Sequence, residues 1–175
     1  MESNIQFEQL KPELYNTYID IGTKAYNQHY THLWPNGNTK TYIENSFTKA
    51  VLLQEEKDQD TILYVIKLES AYVGLLKITL HKKLQEFSKA DALYLDKIYI
   101  LNEYSGKGIG AESLRFVEKI AKNNAKKVIF LESMQKGMAL PFYQKHSFKI
   151  AAITQVPFNN VIEDEKPMYL LKKVL

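Results

Sequence analysis

A chain of 175 residues, 45% apolar and 25% charged, has the size and balance of one ordinary domain. At this length folding buries about 70% of the surface of the unfolded chain, so no metal or crosslink is needed to hold a core. The chain has no cysteine, which excludes disulfides, thiolate zinc sites and a cysteine nucleophile and fits a reducing, cytoplasmic setting. The formal charge of +3 is slight, and Arg115 is the only arginine among scattered lysines, so nucleic acid is not expected as a partner. The first residues lack the cationic start and apolar stretch of a signal peptide. No run reaches the roughly 18 apolar residues of a membrane span, so no membrane partner is expected either.

No linker, repeat or low-complexity tract divides the chain, which reads as a single domain over residues 1–175. Residues 4–10 alternate, with Ile5, Phe7 and Leu10 apolar, and predict a first strand. Pro12 then opens a helix carrying Leu14, Tyr15, Tyr18, Ile21 and Ala25 at helical spacing. Turn chemistry at Pro35, Asn36 and Gly37 precedes a second helix from about Thr39. TILYVIKLES and AYVGLLKITL predict a hairpin, and ALYLDKIYI a third strand of the same strength. From Ile109 onward, Leu114, Val117, Ile120 and Ala121 form one apolar helical stripe. KKVIFLES reads as a short buried strand, a helix follows near Met138 with Pro141 in its first turn, and FKIAAITQV and KPMYLLKKVL close the chain as strands. This order implies a mixed α/β sheet with one right-handed parallel strand–loop–helix–strand unit, whose loop lies at the carboxyl end of its strand.

That loop is YSGKGIGA, which holds Gly106, Gly108 and Gly110. Glycines allow positive φ and let a ligand approach the main chain. A loop of this kind that opens a helix aims unpaired N–H groups and the positive end of the helix dipole at one spot, which suits a phosphate or pyrophosphate. A phosphate loop of the nucleotide-triphosphatase type is excluded, because no GKS or GKT follows at the required spacing. A dinucleotide fingerprint fits Gly106, Gly108 and Ala111 with Glu132 downstream. Against it, LNEYS separates the glycines from their strand, antiparallel strands come before, and too little chain follows for a doubly wound sheet.

The segment YLDKIYILNEYSGKGIGAESL resembles the acetyl-CoA-binding motif of the GNAT N-acetyltransferase superfamily, with the Q/RxxGxG/A core at Ser105 to Gly110. Downstream, MALPFYQKHSF is similar to the family's AxxFYxxxGF helix and turn. Three positions depart from the pattern. Ser105 replaces a Gln or Arg, Ser147 replaces the glycine before Phe148, and Lys136 stands where an Asn is common.

The resemblance implies an α/β (α+β) acyl-CoA fold, with a mixed, mostly antiparallel twisted sheet flanked by helices, and acetyl-CoA as cofactor. It implies that main-chain groups of Ile98, Tyr99 and Ile100 meet the pantetheine arm. The amides of Ser105, Gly106, Lys107, Gly108, Ile109, Gly110 and Ala111 would hold the pyrophosphate. Tyr143, whose phenol keeps its proton near neutral pH, is the expected acid for the departing thiolate. For the base, Asp96, Glu132, an ordered water and a substrate that binds already neutral stay open, since Tyr94 occupies the strand position where relatives carry a glutamate. Tyr26, Tyr30, Trp34 and Tyr42 are expected at the acceptor, with aromatic faces suited to an alkyl amine, together with Tyr94. His29 and His32 lack the partners that would complete a metal site.

The implied function is acetyl-CoA-dependent transfer of an acetyl group to a primary amine of a small molecule, of polyamine-like kind, or of a protein. The alternative is a catalytically weak acyl-CoA-binding regulatory module of the same fold. The closing strands also offer an edge for a homodimer.

Overall fold

Alternating apolar side chains in the first half of the chain build four antiparallel strands. In the computed structural model, which describes residues 4–175, these are β1 (Ile5–Gln9), β2 (Thr61–Leu68), β3 (Ala71–Thr79) and β4 (Ala92–Ile100). Each pairs antiparallel with the next. The second half adds β5 (Val128–Met134), parallel to β4, then β6 (Lys149–Gln155) and β7 (Pro167–Val174), both antiparallel to their neighbours. The seven-stranded open sheet runs β1-β2-β3-β4-β5-β7-β6.

Helices cover both faces, as the two-sided burial of these strands requires. On one face α1 (Tyr15–His29), α2 (Lys40–Ser46) and α3 (Lys49–Glu55) bury Tyr18, Ile21, Ala25 and Leu52 against Val65 and Leu75. On the other, α4 (Ile109–Asn123) sets Leu114, Val117 and Ala121 on Ile66, Leu76, Leu93 and Leu95, with α5 (Ala139–Lys145) packed beside it. The odd and even residues of β2 therefore feed two separate cores, as a period of two dictates, while in β3 a bulge at Val73 shifts the alternation, so that Tyr72 and Leu75 face the first core and Val73, Leu76 and Ile78 the second.

Element order agrees with the sequence expectation; the boundaries differ in two places. Pro12 lies in a 3₁₀ turn, Pro12–Leu14, and α1 proper begins at Tyr15. The helix expected from Thr39 is two helices, because Thr48 is extended and caps α3 by accepting from Val51 N at 3.2 Å. Among the described residues no helix is long and apolar enough to cross a membrane.

After α5 the chain turns through Ser147, with φ +71°, at the position where the motif carries glycine. A left-handed φ costs a residue with a Cβ about 1 kcal/mol or more. Ser147→Gly is therefore expected to stabilise the protein by about 0.5–1 kcal/mol and to raise Tm by about 1–4 °C in a calorimetric scan.

Candidate active site

The site begins with an irregularity in β4. Lys77 pairs with Lys97 but Ile78 pairs with Leu95, so Asp96 is an extra residue, a β-bulge. The bulge breaks the alternation of side chains. Lys97 shares a cavity wall with Tyr94, Asp96 and Tyr99, while Leu93, Leu95, Ile98 and Ile100 pack in the opposite core.

A second irregularity lies on the other side of the strand. The β4–β5 ladder ends at Tyr94 and Phe130, whereas β5 stays paired with β7 as far as Met134 and Met168. From Leu95 to Ile100 the two central strands diverge and leave a gap in the sheet. Leu101 N donates to Val73 O at 2.9 Å, and antiparallel pairs alternate in which neighbour they bond. Tyr99 thus turns its main-chain groups to β3, while Ile98 and Ile100 turn theirs toward the gap. Of the expected trio, Tyr99 therefore has its main chain paired with β3, and the residue lines the cavity. The Ile100 carbonyl lies 3.0 Å from His29 Nε2.

At the carboxyl end of β4 the glycine loop takes the expected form. Gly106 and Gly108 have φ of +75° and +79°, and Gly108 caps α4. Gly110 serves packing instead, since a Cβ there would come within 3.0 Å of Phe142 Cζ on α5. Glu112 N makes the first helical bond, to Gly108 O. Among the described residues no acceptor reaches the amides of Gly106, Lys107, Gly108, Ile109, Gly110 or Ala111. Ser105 differs: its amide already donates to Asn102 O at 3.0 Å, which leaves only its hydroxyl to offer a ligand. Lys136, the other departure near this end, bridges Asp164 O and Glu165 at 3.1 Å each and ties the β5–α5 loop to the segment before β7.

The gap opens into a cavity of about 560 Å³. Tyr143 of α5 lines it. Burial pushes its phenol well above the usual value, so the group holds its proton, and among the described residues its hydroxyl has no hydrogen-bond partner. Glu132, a candidate for the base, sits within β5 opposite Leu170 and faces the same cavity. The Tyr94 hydroxyl is 3.5 Å from Glu132, and Lys82 Nζ lies over the Tyr94 ring at 3.7 Å. Burial, with Asp96 and Glu132 nearby, raises the Tyr94 phenol as well.

Asp96 also borders the cavity, but its charge is engaged. Lys77 Nζ lies 2.9 Å from Asp96 and 2.6 Å from Glu55 of α3. Burial pulls the Lys77 ammonium down, yet the two carboxylates outweigh it and hold the lysine above its usual range. Of the acids expected as a base, Glu132 is the one without a cation against it.

The opposite wall is aromatic. Tyr26 stacks on Tyr42 at 3.7 Å between ring centroids, and the Tyr42 and Tyr99 hydroxyls are 2.6 Å apart. Burial raises the phenols of Tyr26, Tyr42 and Tyr99, and pushes Tyr30 up to about 12. Tyr26, Tyr30 and Tyr94 line the cavity as expected; Trp34 does not. The tryptophan is 1% exposed behind the wall, where its indole donates to the Tyr26 hydroxyl at 2.9 Å and so positions the ring that does line it. Two further wall residues, Lys97 and Phe158, were not anticipated. The adjacent charges of Asp96 and Lys97 in an otherwise apolar strand were the available signal for the first. Phe158 comes from the β6–β7 connection and has no local signal.

Comparison with known proteins agrees with this geometry. The PaiA N-acetyltransferase from Thermoplasma acidophilum, solved with coenzyme A, is 19% identical and superposes with a TM-score of 0.76 over 98% of this chain and 99% of that one. A GNAT family acetyltransferase from Elizabethkingia anophelis, solved with acetyl-CoA bound, is 18% identical, with a TM-score of 0.62 over 99% of this chain and all of that one (100%). At such identities the likeness establishes the fold. The family model for the GNAT acetyltransferases matches residues 15–148, a stretch running from the start of α1 through the glycine loop to Phe148, and by that match the chain belongs to the GNAT acetyltransferase family.

Proposed function

We propose that the protein transfers the acetyl group of acetyl-CoA to a primary amine by direct attack of the amine on the thioester. The observation that carries this reading is the order of features along β4. Unpaired amides lie in the glycine loop that follows the strand, its edge is open beyond Tyr94, and the cavity beside it holds a protonated phenol and the Glu132 carboxylate, which among the described residues has no cation against it. The amides from Gly106 to Ala111 and the positive end of α4 suit the pyrophosphate. The main-chain groups of Ile98 and the amide of Ile100, whose carbonyl already meets His29, suit an extended pantetheine arm, which would add to β4 as a strand adds to a sheet edge. The solved relatives that carry coenzyme A or acetyl-CoA support the choice of cosubstrate.

In this reading Glu132 takes the proton of the acceptor ammonium, directly or through a water, and leaves a neutral amine to attack. The amine nitrogen bonds to the thioester carbon, the C–S bond breaks, Tyr143 donates its proton to the departing thiolate, and the second nitrogen proton, lost as the amide forms, passes through water to restore the phenol. Tyr26, Tyr30, Tyr42 and Tyr94 enclose the acceptor and keep bulk water from competing for the thioester. The homodimer expected from the sequence would use the β6 edge, where Ile150 and Ile153 are exposed.

The test is release of free CoA thiol from acetyl-CoA across a panel of amines. Amine-dependent release is expected. Calorimetric binding of acetyl-CoA without any amine-dependent release would overturn transfer in favour of an acyl-CoA-binding module.

A further inference from the structure

Lys97 has no part in the acetyl-transfer reading, yet it occupies the acceptor cavity. Its ammonium lies 5.7 Å from the centre of the Tyr42 ring and 5.5 Å from that of Phe47. Among the described residues it makes no ion pair and no side-chain hydrogen bond. Every carboxylate near it is already engaged, because Asp96 and Glu55 both bind Lys77. The four charges of Glu55, Lys77, Asp96 and Lys97 sum to zero at a distance, but the hydrogen-bonding demand does not balance. The carboxylates share one ammonium and the second ammonium has only ring faces.

We infer that the acetyl acceptor is an amine that also carries a carboxylate, with the carboxylate held by the Lys97 ammonium and the amine directed to Glu132. This rests on reading the cavity as an acetyl-acceptor site. It names a class of acceptor different from the polyamine-like one. A second cation has no vacant place beside Lys97, since the Tyr42 and Phe47 faces that would attract it already serve the lysine. A carboxylate, in contrast, gains a charge-assisted hydrogen bond in a partly buried site. The ionisation of Lys97 agrees. Burial lowers its affinity for the proton, and Asp96 and Glu55, opposed by Lys77, do not offset that loss. An incoming carboxylate would supply the missing compensation. The free charges of the cavity are then Lys97 and Glu132, one of each sign, which matches an amino acid with its two ends apart.

The test uses a series of α- and ω-amino acids, each beside its amide and beside the diamine of equal length. Two quantities are read: kcat/KM from thiol release, and calorimetric binding to CoA-saturated protein. For the best-fitting member the acid should exceed its amide by about ten- to a hundred-fold in both. Lys97→Met should bring that ratio close to one, and Lys97→Arg should retain part of it. Lys97→Met should melt no lower than wild type, since removing a poorly compensated ammonium costs no pairing. Amides or diamines that equal the acids throughout, or a ratio unchanged in Lys97→Met, would overturn the inference while leaving acetyl transfer standing. Acids that bind the CoA-loaded protein through Lys97 but release no thiol would uphold the carboxylate site and overturn transfer. Acids that bind no better than their amides would overturn the carboxylate site whatever the turnover.

Discussion

Replacing Tyr143 with phenylalanine is expected to lower kcat by about 10²-fold or more while acetyl-CoA binding, read by calorimetry, stays at the wild-type level. The ring packs among Phe142 and Phe148, with centroids at 5.2 and 5.8 Å, and phenylalanine keeps those contacts. Only the hydroxyl is lost, and among the described residues nothing else holds it. Burial keeps the phenol protonated beyond its ordinary pKa of about 10, so titration of Tyr143 should not lower kcat at or below that pH. Unchanged kcat in the variant would reduce Tyr143 to a packing residue and leave the thiolate to be protonated by solvent.

Glu132→Gln should cost about 10²-fold in kcat/KM near neutral pH, and the deficit should shrink as pH rises toward the acceptor's own pKa. The sign follows from the role. Glutamate serves by removing the ammonium proton, and at high pH the acceptor arrives already neutral. A deficit that stays constant across pH would instead mark Glu132 as a binding residue. The matching change at Asp96 should behave differently. Asp96→Asn removes a partner from the partly buried Lys77 and leaves Glu55 as its remaining carboxylate, so its main effect should be a lower Tm. If Asp96→Asn shows the pH-dependent loss and Glu132→Gln does not, the assignment of the base is reversed.

Much of this molecule could be read before it was folded. The strands of ALYLDKIYI and its neighbours, the stripe of Leu114, Val117 and Ala121, and the left-handed glycines at 106 and 108 all emerge from local rules. Side-chain alternation has a period of two, helical burial a period of 3.6, and positive φ is a property of single residues. Motif resemblance then added the chemistry expected of the loop, which ends at Gly108, the residue that caps α4.

The rest depended on partners distant in sequence. Asp96 and Glu132 looked equivalent as bases until Lys77 was seen to pair with the first. Trp34 looked like a wall residue until the Tyr26 hydroxyl was found to hold its indole behind that wall. Ser105 remained a candidate amide donor until its N–H was found donating to the Asn102 carbonyl.

The sequence by itself determined which segments are strands and helices, their order, and the loop suited to an anion, because those features depend on neighbours a few residues away. Only the tertiary structure decided that β4 bulges at Asp96, that it parts from β5 after Tyr94, and that Lys97 stands in the cavity without a counter-charge. Strand divergence, ion pairing and burial are set by residues tens of positions apart, and no local pattern records which of them will meet.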